Sequence, residues 1–78
     1  MELDSLKAVV ADVLKVDPNE LTERTTFMGD LGADSLDVYQ IVNELEDRLN
    51  ITLEEEEIER ISTIGEAVEL IKKAERKQ

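Results

Sequence analysis

"FMGDLGADSLDVYQIVNELED", Phe27 to Asp47, contains the transition on which the fold turns. Its first half is punctuated by glycines. Its second half has the three-and-four spacing of a helix, with Val38, Ile41, Val42, Leu45 and, just beyond the stretch, Leu49 on one apolar stripe. The helix opens at Asp34, whose carboxylate is suited to accept from free first-turn amides, while Asp37 adds negative charge near the positive end of the dipole. Asp37, Gln40, Glu44 and Asp47 recur on a different, polar face. Ser35 therefore stands exposed at a helix start between acidic neighbours.

Working outward, the preceding stretch "DPNELTERTTFMGDLGA" runs for 17 residues without periodicity. Loops of that length are uncommon in compact domains and are often functional. Leu21, Phe27 and Leu31 are expected to pin it to the core. Ahead of it, Leu3, Leu6, Val10, Val13 and Leu14 form a helical stripe widened by Ala8, Val9 and Ala11. That helix should end near Val16, because Pro18 disfavours helix at Asp17 and has no backbone donor. Downstream, "EEEEIERI" is a short segment with Ile58 and Ile61 inward. Thr63 and Glu66 form a capping box for a last helix, with Ile64, Ala67, Val68, Ile71 and Ala74 as its stripe. Lys72, Lys73, Arg76 and Lys77 suit its negative end. The expected fold is all-α, a small bundle of three main helices and one short one, with a long loop between the first and second.

The 78 residues suffice for one small domain, expected to span 1–78. Such a core is marginal, and no cysteine is available to reinforce it. Phe27 and Tyr39 are the only aromatic residues, so the core must be aliphatic. "ELDSLKAVV" follows Met1 with no basic flank or long apolar run, so neither a signal peptide nor a membrane span is expected, and the protein is placed in the cytoplasm. Twenty acidic and nine basic residues give a net charge of −11. Between Asp30 and Glu59, eleven acidic residues face a single basic one, Arg48, so that segment carries −10. Such a field repels phosphate backbones and anionic lipid and attracts basic protein surfaces. Nucleic acid and membranes are thus poor partners. Within this segment and its edges, Asp30, Asp34, Glu54 and Glu57 are candidates for weak divalent binding.

Ser35 has no partner in the chain suited to activate it as a catalytic nucleophile. The chain has no histidine, and no lysine lies between Lys15 and Lys72. Hydrolase chemistry of the serine–base kind is therefore set aside. A calcium loop starting at Asp30 also fails, because Ser35 stands at the sixth position and Ile41 at the twelfth, where glycine and glutamate are required. Two readings remain. Asp34 and Ser35 simply start a helix, or Ser35 is an attachment point whose phosphodiester would be stabilised by first-turn amides and the dipole.

"DLGADSLD", Asp30 to Asp37, resembles the phosphopantetheine attachment motif of acyl carrier proteins, with Ser35 at the modified position and Asp34 and Leu36 as its flanks. The resemblance extends through "ELED", Ile51–Thr52 and "ISTIGEAVELI", and so covers nearly the whole chain. It implies 4′-phosphopantetheine, donated from coenzyme A by a phosphopantetheinyl transferase, and acyl groups held as thioesters on its thiol. It further implies a non-enzymatic monomer whose acyl cargo is shielded among the helices. Acyl-transferring and synthase enzymes would meet the second-helix residues Asp37, Gln40, Glu44 and Asp47 with basic patches. The missing base and missing cysteine agree with a chain that carries a reacting group supplied from outside.

"GADSL" is more similar to the fatty-acid or polyketide type than to peptidyl or aminoacyl carriers, which remain an alternative alongside an unmodified acidic interaction module. Four positions depart from a housekeeping fatty-acid carrier. Tyr39 replaces a small aliphatic residue, Gln40 a glutamate, Asn43 an apolar residue and Gly29 an acidic one. Tyr39 and Asn43 are expected to reshape the acyl site, and Gln40 to remove one contact charge, as in a specialised carrier.

Overall fold

Helix α1, Glu2–Leu14, is the first of four in a computed structural model that describes residues 2–77. It stops two residues short of Val16. Lys15 turns into the left-handed region at φ 58, and the Val16 amide closes the end on the Ala11 carbonyl. Pro18, expected to terminate α1, instead opens a short 3₁₀ turn, Pro18–Glu20, capped by the Asp17 carboxylate. Proline suits that place because a first-turn amide has no intrahelical acceptor. Along α1, Leu6, Val9 and Val10 are fully buried, whereas Ala8, read as part of the stripe, is exposed.

Helix α2 is Ser35–Leu49, α3 is Glu55–Glu59 and α4 is Ile64–Arg76. α1 packs on both α2 and α4. Ile41, Val42 and Leu45 of α2 meet Ile64, Ala67, Val68 and Ile71 of α4 in one aliphatic core, with Val38 and Leu49 half-buried at its edge. Leu70 is also buried and was not in the expected stripe. α2 ends at Asn50 with φ 55, a left-handed cap that asparagine tolerates. The segment to α3 is held by the Glu46 carboxylate, which accepts from the Leu53 amide at 2.8 Å. Ile58 of α3 is buried and Ile61 partly so.

The long loop is sewn to the α3–α4 junction by backbone hydrogen bonds. The Phe27 amide donates to Ser62 (3.1 Å), Ile64 to Thr25 (2.9 Å) and Gly65 to Glu23 (2.9 Å). Thr26 and Thr63 form an isolated antiparallel bridge, and no strand is present among the described residues. Leu21 and Phe27 are buried and Leu31 is half-buried against the core, as expected, with Ala33 buried beside them. This fixes both ends of the loop before α2 begins.

Candidate functional site

Asp34 and Asp37 cap α2 reciprocally. The Asp34 carboxylate accepts from the Asp37 amide at 2.9 Å, and the Asp37 carboxylate accepts from the Asp34 amide at 3.3 Å. The sequence suggested only the first bond and a dipole contribution from Asp37. Ahead of the cap, Gly32 takes φ 64, a left-handed turn that residues with a Cβ resist. The Ala33 amide then returns to the Phe27 carbonyl at 2.9 Å. Turn, cap and helix together hold Ser35 as the first residue of α2, with its side chain exposed.

This setting fits a phosphate ester. First-turn amides of a helix have no intrahelical acceptors, and the dipole there favours an anion. The hydroxyl is accessible, and neither flanking aspartate is free to crowd it, because each is turned onto the backbone. Leu36 is 79% exposed and Met28 63%, both unusual for large apolar residues and both close to Ser35 in the turn or the cleft described next. Met28 carried no periodicity that would have singled it out.

A cleft of about 220 Å³ opens beside Ser35. Ser35, Val38 and Tyr39 form its α2 side, Ile58 and Glu59 its α3 side, and Phe27, Met28 and Gly29 its loop side. Gly29 is explained by its neighbour: a Cβ there would lie 2.8 Å from the Thr26 hydroxyl. That hydroxyl accepts from the Asp30 amide, while the Asp30 carboxylate accepts from the Thr26 amide. Tyr39 reaches across toward α3. Partial burial raises its pKa, and the charges of Glu55 and Glu59 and a hydrogen bond offered to Glu55 raise it further. The phenol therefore stays protonated and remains a donor. Of the two departures expected to reshape the acyl site, Tyr39 lines the cleft. Asn43 does not; it is exposed farther along α2.

On the remaining face, Gln40 and Asp47 are exposed and Glu44 is half-buried. Asp37 belongs to the same row but is partly occupied by the cap. Glu46 points instead to the α2–α3 connection. The divalent candidates are not drawn together: among the described residues no three carboxylates form a cluster able to hold a metal ion. Asp30 and Asp34 are engaged with backbone amides, Glu57 pairs with Lys73 at 2.8 Å, and Glu54 pairs with Lys77 at 3.8 Å.

With this geometry in place, the comparisons are specific. A family profile described as the phosphopantetheine attachment site matches residues 4–71. An acyl carrier protein from Wolinella succinogenes is 47% identical over 68 residues, covering 87% of this chain and 90% of that protein. This chain belongs to the acyl carrier protein family. Two solved structures agree with the fold. One, from Mycobacterium tuberculosis and assigned as an acyl carrier protein, has a TM-score of 0.86 and 26% identity, covering 92% of this chain and 96% of that one. The acyl carrier protein of Enterococcus faecalis has a TM-score of 0.73 and 28% identity over 95% and 98% of the two chains. The carrier's cofactor is 4′-phosphopantetheine. Membership does not favour the peptidyl alternative or the unmodified acidic module. The relatives are named as carriers, not catalysts. No helix among the described residues is long and apolar enough to cross a membrane.

Proposed function

We propose that Ser35 is the attachment residue, and that the carrier presents acyl groups for fatty-acid or related acyl-chain biosynthesis. The observation that carries this is the exposed Ser35 hydroxyl at the first position of a reciprocally capped helix, beside an apolar cleft. The arm, once bound, supplies the thiol on which acyl groups are held as thioesters. The chain's own residues do the rest. Asp34 and Asp37 fix the helix start, and the first-turn amides and dipole stabilise the phosphodiester. Val38, Tyr39, Ile58 and Ile61 offer apolar shelter to the cargo.

Residues 1–78 act as one carrier domain, a monomer working in the cytoplasm. A phosphopantetheinyl transferase and the acyl-transferring and synthase enzymes dock on the α2 row of Asp37, Gln40, Glu44 and Asp47 through basic patches. The −10 segment supports this reading, since opposite charge on a partner speeds encounter. Exposed Leu36 adds an apolar contact at the Ser35 end of the same surface. Gln40 and Tyr39 favour a carrier dedicated to its own pathway. The test is incubation with coenzyme A and a transferase, followed by intact mass. Wild type should gain one phosphopantetheine and Ser35→Ala none; modification that persists in the alanine variant overturns the proposal.

A further inference from the structure

The cleft beside Ser35 and the interior behind it are separate spaces. The cleft measures about 220 Å³, whereas the void among Leu6, Ile41, Leu45 and Ile71 measures about 10 Å³. Phe27, Val38 and Ile61 line both and form the partition. Behind it, Leu45 and Ile71 are 2% and 1% exposed. A chain entering there would displace closely packed atoms, and cores at crystal-like density resist added methylenes. Of these two spaces, the cleft is the one with room at rest.

Tyr39 lies four residues beyond Ser35, on the same face of α2 and about 6 Å further along its axis. It is the last residue of α2 to line the cleft. It is half-buried and faces Ile58 and Glu59 of α3 across the cleft, so its ring closes the α2 side where that lining ends. An acyl tail on the arm's thiol that folds back into the cleft beside Ser35 and runs along α2 reaches Tyr39 where the α2 lining ends. For scale, a dry cavity of about 150 Å³ accommodates benzene, or about 25 Å³ per carbon. By that measure 220 Å³ corresponds to about nine carbons at most, and fewer for a cleft whose open mouth also admits the end of the arm.

We propose that Tyr39 is the residue that sets how long an acyl chain the cleft can shelter, stopping an unbranched chain at about eight carbons. The inference rests on attachment of the arm at Ser35. It makes the carrier one for short and medium acyl groups, with longer chains protruding beyond Tyr39 or forcing the partition open.

The experiment loads wild type, Tyr39→Val, Tyr39→Phe and Tyr39→Trp with saturated acyl groups of about four to sixteen carbons, using acyl-coenzyme A and a permissive transferase. Intact mass confirms loading. Two readouts follow: the rate of thioester loss to hydroxylamine, and the melting temperature of each loaded form. In wild type, protection and melting temperature should rise with chain length to about eight carbons and then level off. Tyr39→Val removes five side-chain atoms, so its break should move out by about two to four carbons, allowing for partial collapse of the cleft. Tyr39→Trp should move it inward. Tyr39→Phe keeps the ring and should keep the break, which separates the wall from the hydroxyl and also serves if a bulkier change fails to fold. An unchanged break in Tyr39→Val overturns the proposal, as does protection that climbs steadily to sixteen carbons in wild type; either leaves attachment at Ser35 standing. A wild-type chain that accepts no arm overturns both.

Discussion

Three leucines of α2 span the range of burial, and replacing each by alanine tests the helix's orientation and the depth of the core together. Leu45 is 2% exposed, Leu49 is half-buried at the core edge and Leu36 is 79% exposed. Truncating a buried leucine costs about 2–5 kcal/mol, more where the space left behind cannot collapse. Leu45 already borders a small void of about 10 Å³, so its loss enlarges a gap with little slack around it. At roughly 0.05–0.15 kcal/mol per residue, a chain of this length has about 4–12 kcal/mol in total. Leu45→Ala therefore removes about a sixth of the stability at the least and all of it at the most. With a urea slope of about 1 kcal/mol per molar, the unfolding midpoint should fall by about 2–5 M. Leu49→Ala should cost about half as much, and Leu36→Ala should stay within about 0.5 kcal/mol of wild type. Urea unfolding followed by far-ultraviolet circular dichroism measures all three. A Leu45→Ala midpoint close to wild type, or a Leu36→Ala loss equal to it, would mean that the stripe faces the wrong way.

Two further outcomes concern charge. Reversing Glu44 and Asp47 to lysine, which spares the Asp34–Asp37 cap, should raise KM for the transferase through slower association, with the penalty shrinking as salt is added. The same reversal at exposed Asp12 and Glu20 should do much less, and equal penalties would assign recognition to the long-range field instead of the α2 face. On the α1–α4 side, Glu75 is held above its ordinary pKa, first by a hydrogen bond with Glu2, then by partial burial and the Glu2 charge. Glu2 is held below its own by a backbone hydrogen bond and by Glu75. Because the folded pKa of Glu75 is raised, the pair stabilises most when Glu75 is protonated, and the contribution is lost as pH rises through that value. Glu75→Gln should thus raise the melting temperature at neutral pH, with the gain vanishing in acid. Glu57 has the opposite sign: its hydrogen bond from Lys73 lowers its pKa, so its contribution is present above the ordinary 4.5 and lost as pH falls below it. Glu57→Gln should flatten the acid limb of the stability profile, and an unchanged limb would show that this pair contributes nothing.

Much of this was legible in the sequence because helices advertise themselves by period and by caps. The stripe of α4 and its Thr63–Glu66 box stand in the structure as the spacing dictates, with the Glu66 amide 3.2 Å from the Thr63 hydroxyl. The absence of histidine removes a hydrolase role for Ser35, and the resemblance of Asp30–Asp37 to the attachment motif is what singles it out as the modified residue. What stayed hidden depends on contacts between distant segments. No local signal says that Phe27 donates to Ser62, or that Glu46 leaves the acidic face to hold Leu53. The end of α1 was misplaced because Lys15, a residue with no preference for positive φ, makes the left-handed turn before Pro18 can act. Asn43 and Tyr39 looked equivalent as departures from the family pattern. Asn43 lies one turn further along α2, past the end of the cleft that Tyr39 lines, and stands in solvent. Likewise, the carboxylates grouped by sequence as weak metal sites are spent on amides and lysines, partners that a charge count does not reveal.

The central claim is that the arm is attached through Ser35 and not through another hydroxyl near the cleft. Thr26 and Ser62 line the same space as Ser35, so all three are within reach of a modifying enzyme that enters there. Only Ser35 combines an exposed hydroxyl with the first turn of a long helix, where free amides and the dipole meet the phosphate. Tandem mass spectrometry of a proteolytic digest of the phosphopantetheinylated protein locates the modification residue by residue. The structure predicts all of it on the peptide fragment that contains Ser35, and none on those containing Thr26 or Ser62. Phosphopantetheine found on Thr26 or Ser62, with Ser35 unmodified, would contradict the account.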